Sequence, residues 1–509
     1  MALFDKKRLT MPTQLQFPLP PHTDGVVLNK QTVKILPSDA QQSYRAGQTL
    51  RFKLQDQKAV DLQSIVLNVE QRTTGAQCSM DDWIGSLFRM VRVSFNGQQI
   101  ERIDHYNRLH NALASFTVDE GYRQTVWGAM EGYWPKVNTI FGDSGHLADA
   151  ASPQTPTSSI YLSVEDDAFP DWTDDTKVRG GLLNGQYLAN RFSNALPTNS
   201  FYRTRNNLVA RQFSIHFDLS GFLARHRKIF WIPLVNSIDI EILLAQDSEV
   251  LNEWNVTQTT QQYELLNPHI QCEMYTLSQE YVNALSLSMQ QQGLTLNFDT
   301  YETRVFDINQ SSTQQIVLNT RLSSLKTVYL FFYQPLPDAV SEQKRIDRTW
   351  IQQRRLFNAD GDAVVKLRDY QLFIDGRPIQ AHPMKVSDEC FSESLWELQK
   401  SFRLHGDVSS TPCVSQSDYI DQAPTTNETA VNGVQNFYSQ QHFMVGIDLE
   451  KTDLLSGHSV ANQLYMNLNF GDAVGGGSSA PGPGVRMYAI LHHDKNVVVY
   501  PGLIFEERM

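Results

Sequence analysis

Several groupings along these 509 residues carry the side chains that chemistry needs. His492-His493-Asp494 sets two imidazoles beside a carboxylate, but no third ligand stands at metal-binding spacing, so a structural or turn role is the reading. Glu165-Asp166-Asp167 with Asp171, Asp174 and Asp175 is the densest acidic run. Calcium takes oxygen ligands of this kind, yet the EF-hand spacing and its glycine are missing, and the run reads as a solvated loop face. Gly475-Gly476-Gly477 through Pro481-Gly482-Pro483-Gly484 lacks the Gly-Lys-Ser/Thr of a phosphate loop and reads as a flexible connection between strands. Asp218 and Asp448 recur in two similar phrases; recurrence points to a shared structural role, since a catalytic pair must meet in one cleft. Cys78, Cys272, Cys390 and Cys413 are scattered without a C-x-x-C pair, and they read as reduced, mostly buried thiols. No catalytic, cofactor-binding or metal-ligating residue is therefore assigned, and no cofactor. The one interaction candidate is Lys6-Lys7-Arg8, three cations against Asp5.

Bulk properties narrow the classes. The balance of 43 basic and 55 acidic residues gives a net charge of −12, unsuited to coating nucleic acid, which requires clustered Lys and Arg. Hydrophobic content of 41% and aromatic content of 10% suit a globular protein, and the length calls for two or more domains. No apolar signal segment opens the chain, and the longest apolar runs, Ile229–Val235 and Val328–Tyr333, are too short to span a bilayer. The Asn-x-Ser/Thr triplets at Asn255, Asn309 and Asn427 accordingly carry no expectation of glycosylation.

The elements that would position these groups are strands, and they come twice. Phe213, Ile215, Phe217 and Leu219 alternate with polar residues, as do Ile238, Ile240 and Ile242, the period of a strand with one buried face. The irregular connector between them carries Ile229–Pro233. The first phrase returns 230 positions later, Phe213 against Phe443 and Asp218 against Asp448; the second returns 226 later, Asn236 against Asn462. Leu62–Leu67 matches Leu325–Leu330. Val91, Val93 and Phe95 before Asn96-Gly97 match Tyr370, Leu372 and Ile374 before Asp375-Gly376, both strong hairpin signals. A short helix with Leu109, Ala112 and Phe116 on one face matches one with Leu395, Leu398 and Phe402. Met274-Tyr275 and Met487-Tyr488 lie in a final strand of each copy. Such repetition in one order indicates duplication.

The expected organisation is an arm over 1–25, a first β domain over 26–277, a linking helix over 278–293 and a second β domain over 294–509. Pro12, Pro18, Pro20 and Pro21 keep the arm extended. The copies differ mainly in one loop, 117–200 in the first and 403–436 in the second; loops this long are functional or disordered.

Eight or so strands per copy, a helix after the fourth and a long loop before the fifth fit an all-β jelly roll. Two in tandem, with the phrase Phe217-Asp218-Leu219-Ser220-Gly221-Phe222 and Trp231-Ile232-Pro233-Leu234-Val235-Asn236-Ser237-Ile238, resemble the double jelly-roll major capsid proteins, closest to the virophage and polinton-like type and akin to adenovirus hexons and tailless-phage coats. The resemblance implies two tandem eight-stranded jelly rolls with short helices and long surface loops. It further implies a trimer of pseudo-hexagonal outline in the icosahedral shell of a DNA virus, made in host cytoplasm and located in the virion. Loop 117–200 would be an outward tower. Penton and minor capsid proteins would be partners, without sequence-specific nucleic-acid binding or a transmembrane segment. The competing readings are a carbohydrate-binding or glycosidase-like β-sandwich, needing exposed aromatics and two facing carboxylates, and a non-enzymatic cellular scaffold.

Overall fold

The structure, a computed structural model, describes residues 27–74, 78–80, 84–117, 128–131, 211–225, 229–253, 262–333, 355–357, 364–386, 390–402, 419, 443–450, 457–460, 463–472, 479–500 and 503–507. Within the first half eight principal strands run in order: β1 (Val27–Ile35), β2 (Thr49–Leu54), β3 (Ala59–Thr74), β4 (Phe88–Phe95), β5 (Gln98–Asp104), β6 (Arg211–His216), β7 (Ile238–Leu244) and β8 (Gln262–Leu277). The second half provides β9 (Leu294–Asp307), β10 (Thr313–Val317), β11 (Leu322–Tyr333), β12 (Val364–Ile374), β13 (Arg377–Pro378), β14 (Val445–Asp448), β15 (Leu464–Asp472) and β16 (Arg486–Tyr500). Helix α1 (Tyr106–Thr117) follows β5, the single turn α2 (Gly128–Glu131) precedes β6, α3 (Gln279–Gln292) joins the halves, and α4 (Ser392–Ser401) precedes β14.

The sheets have the crossed order of a jelly roll. One sheet of the first half is β1-β8-β3-β6 and the other β2-β7-β4-β5; the second half gives β9-β16-β11-β14 and β10-β15-β12, with β13 on β12. All the pairings are antiparallel. The alternation that marked the strands is the alternation of burial: Leu50, Phe52 and Leu54 of β2 are buried while Arg51 and Lys53 are exposed. Both hairpins turn through left-handed residues, Asn96-Gly97 at φ 46° and 82° and Asp375-Gly376 at 49° and 80°, the turn whose twist matches that of the flanking strands.

Strand register makes the two halves equivalent residue by residue. Ile215 pairs with Leu67, and Val445, 230 positions on, pairs with Leu330. Ile240 lies between Phe52 and Val93, and Met466, 226 positions on, lies between Ile316 and Leu372; all six are buried. The matched dipeptides are an exception. Leu67 pairs with Ile270 and its counterpart Leu330 with Ala489, so Met274 and Met487 stand at different levels of their strands. A period of two tolerates any even shift, and only the pairing fixes the level. Cys272 is buried, but Cys390, in the loop just ahead of α4, is exposed, which corrects the expectation of mostly buried thiols for that position.

The outward faces of the equivalent sheets have diverged. Across β2, β7 and β4 run Arg51, Glu241 and Arg92, with Glu241 in ion pairs to both arginines. The matching row across β10, β15 and β12 is Gln315, Asn467 and Gln371, and beside it Phe373 stacks on Tyr465 at 4.8 Å.

Replacing Ile240 by Ala removes a fully buried side chain and is expected to cost about 2–5 kcal/mol in chemical denaturation. Glu241→Ala, which removes only partly exposed ion pairs, should cost under about 1 kcal/mol, and equal losses would contradict this assignment of faces.

Candidate functional site

The two rolls are joined by a buried polar node. Glu101 of β5 lies where the pairing with β4 slips between Val93 and Ser94, a bulge that leaves both Ile100 and Glu101 buried. Its carboxylate accepts hydrogen bonds from the Gly221 N–H at 2.9 Å, the Phe222 N–H at 3.5 Å, the Ser220 hydroxyl, and, from β9 of the other roll, the Thr300 hydroxyl at 2.8 Å. Burial holds the Glu101 pKa above the ordinary carboxylate value, and these donors offset only part of that rise. The turn carrying Gly221 approaches β9 so closely that a Cβ there would sit 1.6 Å from the Asp299 carbonyl oxygen, which leaves room for glycine alone.

Around this node the seam is aromatic. Phe222 meets Phe298 edge-on at 6.0 Å, and Phe116 of α1 stacks at 5.9 Å on Phe402 just past α4, so the two matched helix positions touch each other. Arg108 of α1, almost wholly buried, lies over Tyr333 at 4.5 Å and Tyr488 at 5.2 Å, both of the second roll. His105 meets Tyr488 edge-on, and burial together with the Arg108 and Arg89 charges pushes its pKa down to about 4.

A cavity of about 760 Å³ opens along the seam between α1, α2, β9 and β11. Three imidazoles line it, each beside a carboxylate. His216 Nδ1 is 3.1 Å from Glu131 Oε1, which also accepts the His216 backbone N–H at 3.0 Å. His492 Nε2 is 2.7 Å from Asp299, and His110 Nε2 is 3.8 Å from Asp218. Lys326, on the same wall, pairs with Asp494 at 2.6 Å. Glu131 raises the His216 pKa above the usual imidazole value. The aromatic faces are taken up within the protein: Tyr301 stacks on His492 at 4.6 Å and Tyr329 on Phe402 at 5.2 Å. The acid–base pairs hold neighbouring elements together along the seam.

His492-His493-Asp494 sits inside β16, paired with Tyr301, Thr300 and Asp299, so its role is structural but not that of a turn. A strand interior wins there because His492 and Asp494 each meet a partner from a neighbouring strand. Asp218 lines the cavity, while Asp448 pairs with Thr327 and accepts the Glu450 N–H; the structure does not bring the two into one cleft. No group of three or more His, Cys, Asp or Glu among the described residues is arranged to hold a metal. Lys6, Lys7, Arg8, the Glu165–Asp175 run and all of loop 117–200 except Thr117 and α2 lie outside the described residues. Sequence reasoning missed Glu101, Glu131 and His216. The signal for Glu101 was a carboxylate between Ile100 and Arg102 that breaks strand alternation; Glu131 had none.

Glu101→Ala would strand two backbone N–H groups and two hydroxyls in the seam and is expected to cost at least about 3 kcal/mol in denaturant unfolding, against a smaller loss for Glu101→Gln. For His216 the raised folded pKa makes the Glu131 contact fully stabilising below the ordinary imidazole value and progressively lost as pH rises through the folded one. Hydrogen exchange at α2, corrected for intrinsic rate, should therefore quicken as the pH rises past the ordinary imidazole value and through the raised folded one; pH-independent protection would contradict the pairing.

No family model and no curated protein matches the sequence. Solved structures do. The Sputnik virophage structure is matched over 100% of this chain and 93% of that one, with a TM-score of 0.53 and 10% identity. The PBCV-1 virus capsid is matched over 94% and 97%, at 0.52 and 10% identity. The Faustovirus major capsid protein is matched over 95% and 92%, at 0.51 and 11% identity. At such identities the likeness speaks for the fold, and the fold is the double jelly roll found in those capsids.

Proposed function

We propose that this chain is a major capsid protein, a non-enzymatic subunit that forms pseudo-hexagonal trimers in the icosahedral shell of a DNA virus. The observation that carries the reading is the residue-level equivalence of the two halves on one chain, locked together by the Glu101 node. Three copies of two similar barrels present six similar walls, and a closed ring of heterologous contacts arranges them symmetrically. The three solved structures come from viruses or virophages, which supports the same role.

On this reading residues 26–277 and 294–509 are the two jelly rolls, 278–293 the link between them and 1–25 an arm. Loop 117–200 becomes an outward tower, since loop tips tolerate variation where they face solvent. Lys6, Lys7 and Arg8 contact neighbouring coat or minor proteins. The partners are other copies of this chain, penton and minor capsid proteins, and the location is the virion. Among the described residues no helix is long and apolar enough to cross a membrane.

Sedimentation of the purified protein should give a trimer that survives dilution to low micromolar concentration, because ring-closing interfaces of this type bury more than roughly 2,000 Å². Electron microscopy should show particles of hexagonal outline. A stable monomer would overturn the capsid reading.

A further inference from the structure

The seam within the chain has an uncovered counterpart on the first roll. On β9 the first roll covers Phe298 and Thr300, the one against Phe222 and the other against Glu101, and both are buried. Strand register identifies β1 as the matching strand. Leu67 and its counterpart Leu330 pair with Ile270 and Ala489, which pair in turn with Ile35 and Arg304. Four residues before these stand Gln31 and Thr300, and five before them Lys30 and Asp299. The match extends to a contact. Lys30 meets Glu273 at 2.7 Å, and at the same two positions Asp299 meets His492 at 2.7 Å, with acid and base exchanged.

Burial separates the two strands. Residues 27–32 of β1 are exposed one after another, on both faces, with Leu28 at 64%. Gln271 of β8 is exposed where its counterpart Ile490 of β16 is fully buried. Among the described residues β1 pairs with β8 alone. A sheet edge open in this way is a template for another chain.

The surface that covers β9 has its own counterpart, on the second roll. The hairpins align at Asn96-Gly97 and Asp375-Gly376, which puts Gln380 where Glu101 stands. Gln380 Oε1 accepts the Leu372 N–H at 2.9 Å, so this side chain is engaged within its own sheet. Arg377, Pro378, Ala381 and His382 around it are exposed. On α4, Trp396 stands where His110 does on α1, because Phe402 matches Phe116. His110 is buried in the wall of the seam, whereas Trp396 is 51% exposed. Glu393, one turn earlier on α4, is exposed as well and opposite in charge to the exposed Lys30 and Lys34 of β1. Each chain therefore keeps one covering surface and one receiving strand after its own seam is made, and a head-to-tail contact between them closes a ring.

We infer that the second roll of one copy docks on β1 of a second copy, through residues 377–382 and Trp396, repeating between chains the contact that the first roll makes with β9 within one. The inference rests on the self-assembling reading and names the two surfaces that meet. The test replaces Gln31 with photoreactive benzoylphenylalanine in the full chain. An equimolar mixture of ordinary and nitrogen-15-labelled protein is assembled and irradiated, and the products are mapped by mass spectrometry, so that links between copies carry both labels. The expected product joins position 31 of one copy to residues 377–382 or 392–401 of another. Its yield should fall at least about tenfold in Trp396→Ser, since an interface tryptophan carries much of a contact, and stay unchanged in Lys53→Ser, exposed on the opposite sheet. A link within one chain, a link to another element, or an assembled particle with no product at these residues would each overturn the docking while leaving the capsid reading intact. A monomer by sedimentation of the same sample would overturn both.

Discussion

A single carboxylate, that of Glu101, ties the two jelly rolls together at a buried point of their seam. Each roll could close its own sandwich without it, because the alternating side chains of each pair of sheets fill their own interiors. What Glu101 adds is direction. Its oxygens face two backbone N–H groups and a hydroxyl of its own roll and one hydroxyl of the other. Hydrogen bonds of this kind have a narrow range of distance and angle, whereas the aromatic contacts around them tolerate sliding. A buried carboxylate without such donors would be strongly disfavoured, so the second roll is held where Thr300 completes the set. The glycine at 221 permits that approach, and the stacked pair Phe116–Phe402 extends the seam away from the node.

The repeat and the strands were legible because they rest on periodic burial, which a sequence displays directly. Phe213 and Phe443, or Ile240 and Met466, announce themselves by alternation, and Asn96-Gly97 and Asp375-Gly376 by the backbone conformation that their turns require. The Met274 and Met487 dipeptides show the limit: composition identifies a strand, and pairing partners set its level. The seam was not legible. Glu101 meets Thr300 across 199 positions and His216 meets Glu131 across 85, and nothing local marks either contact. The His492-His493-Asp494 run drew notice as chemistry, but strand pairing had already committed His492 to Asp299 and Asp494 to Lys326.

The cavity along the seam is lined by groups from both rolls. Its carboxylates and imidazoles are matched pair by pair, and its rings are stacked on one another. Groups so engaged hold neighbouring elements to one another.

Duplication within one chain has a further result, visible on the outward sheets. The charged row Arg51–Glu241–Arg92 and the amide row Gln315–Asn467–Gln371 occupy the same positions of the same fold. Had two identical single rolls assembled instead, any change in one wall would have been copied into every other. Covalent fusion removes that constraint. A substitution at Glu241 alters one wall of each chain and leaves its sister untouched, so the two surfaces are free to drift apart and acquire separate specificities while the shared backbone stays fixed.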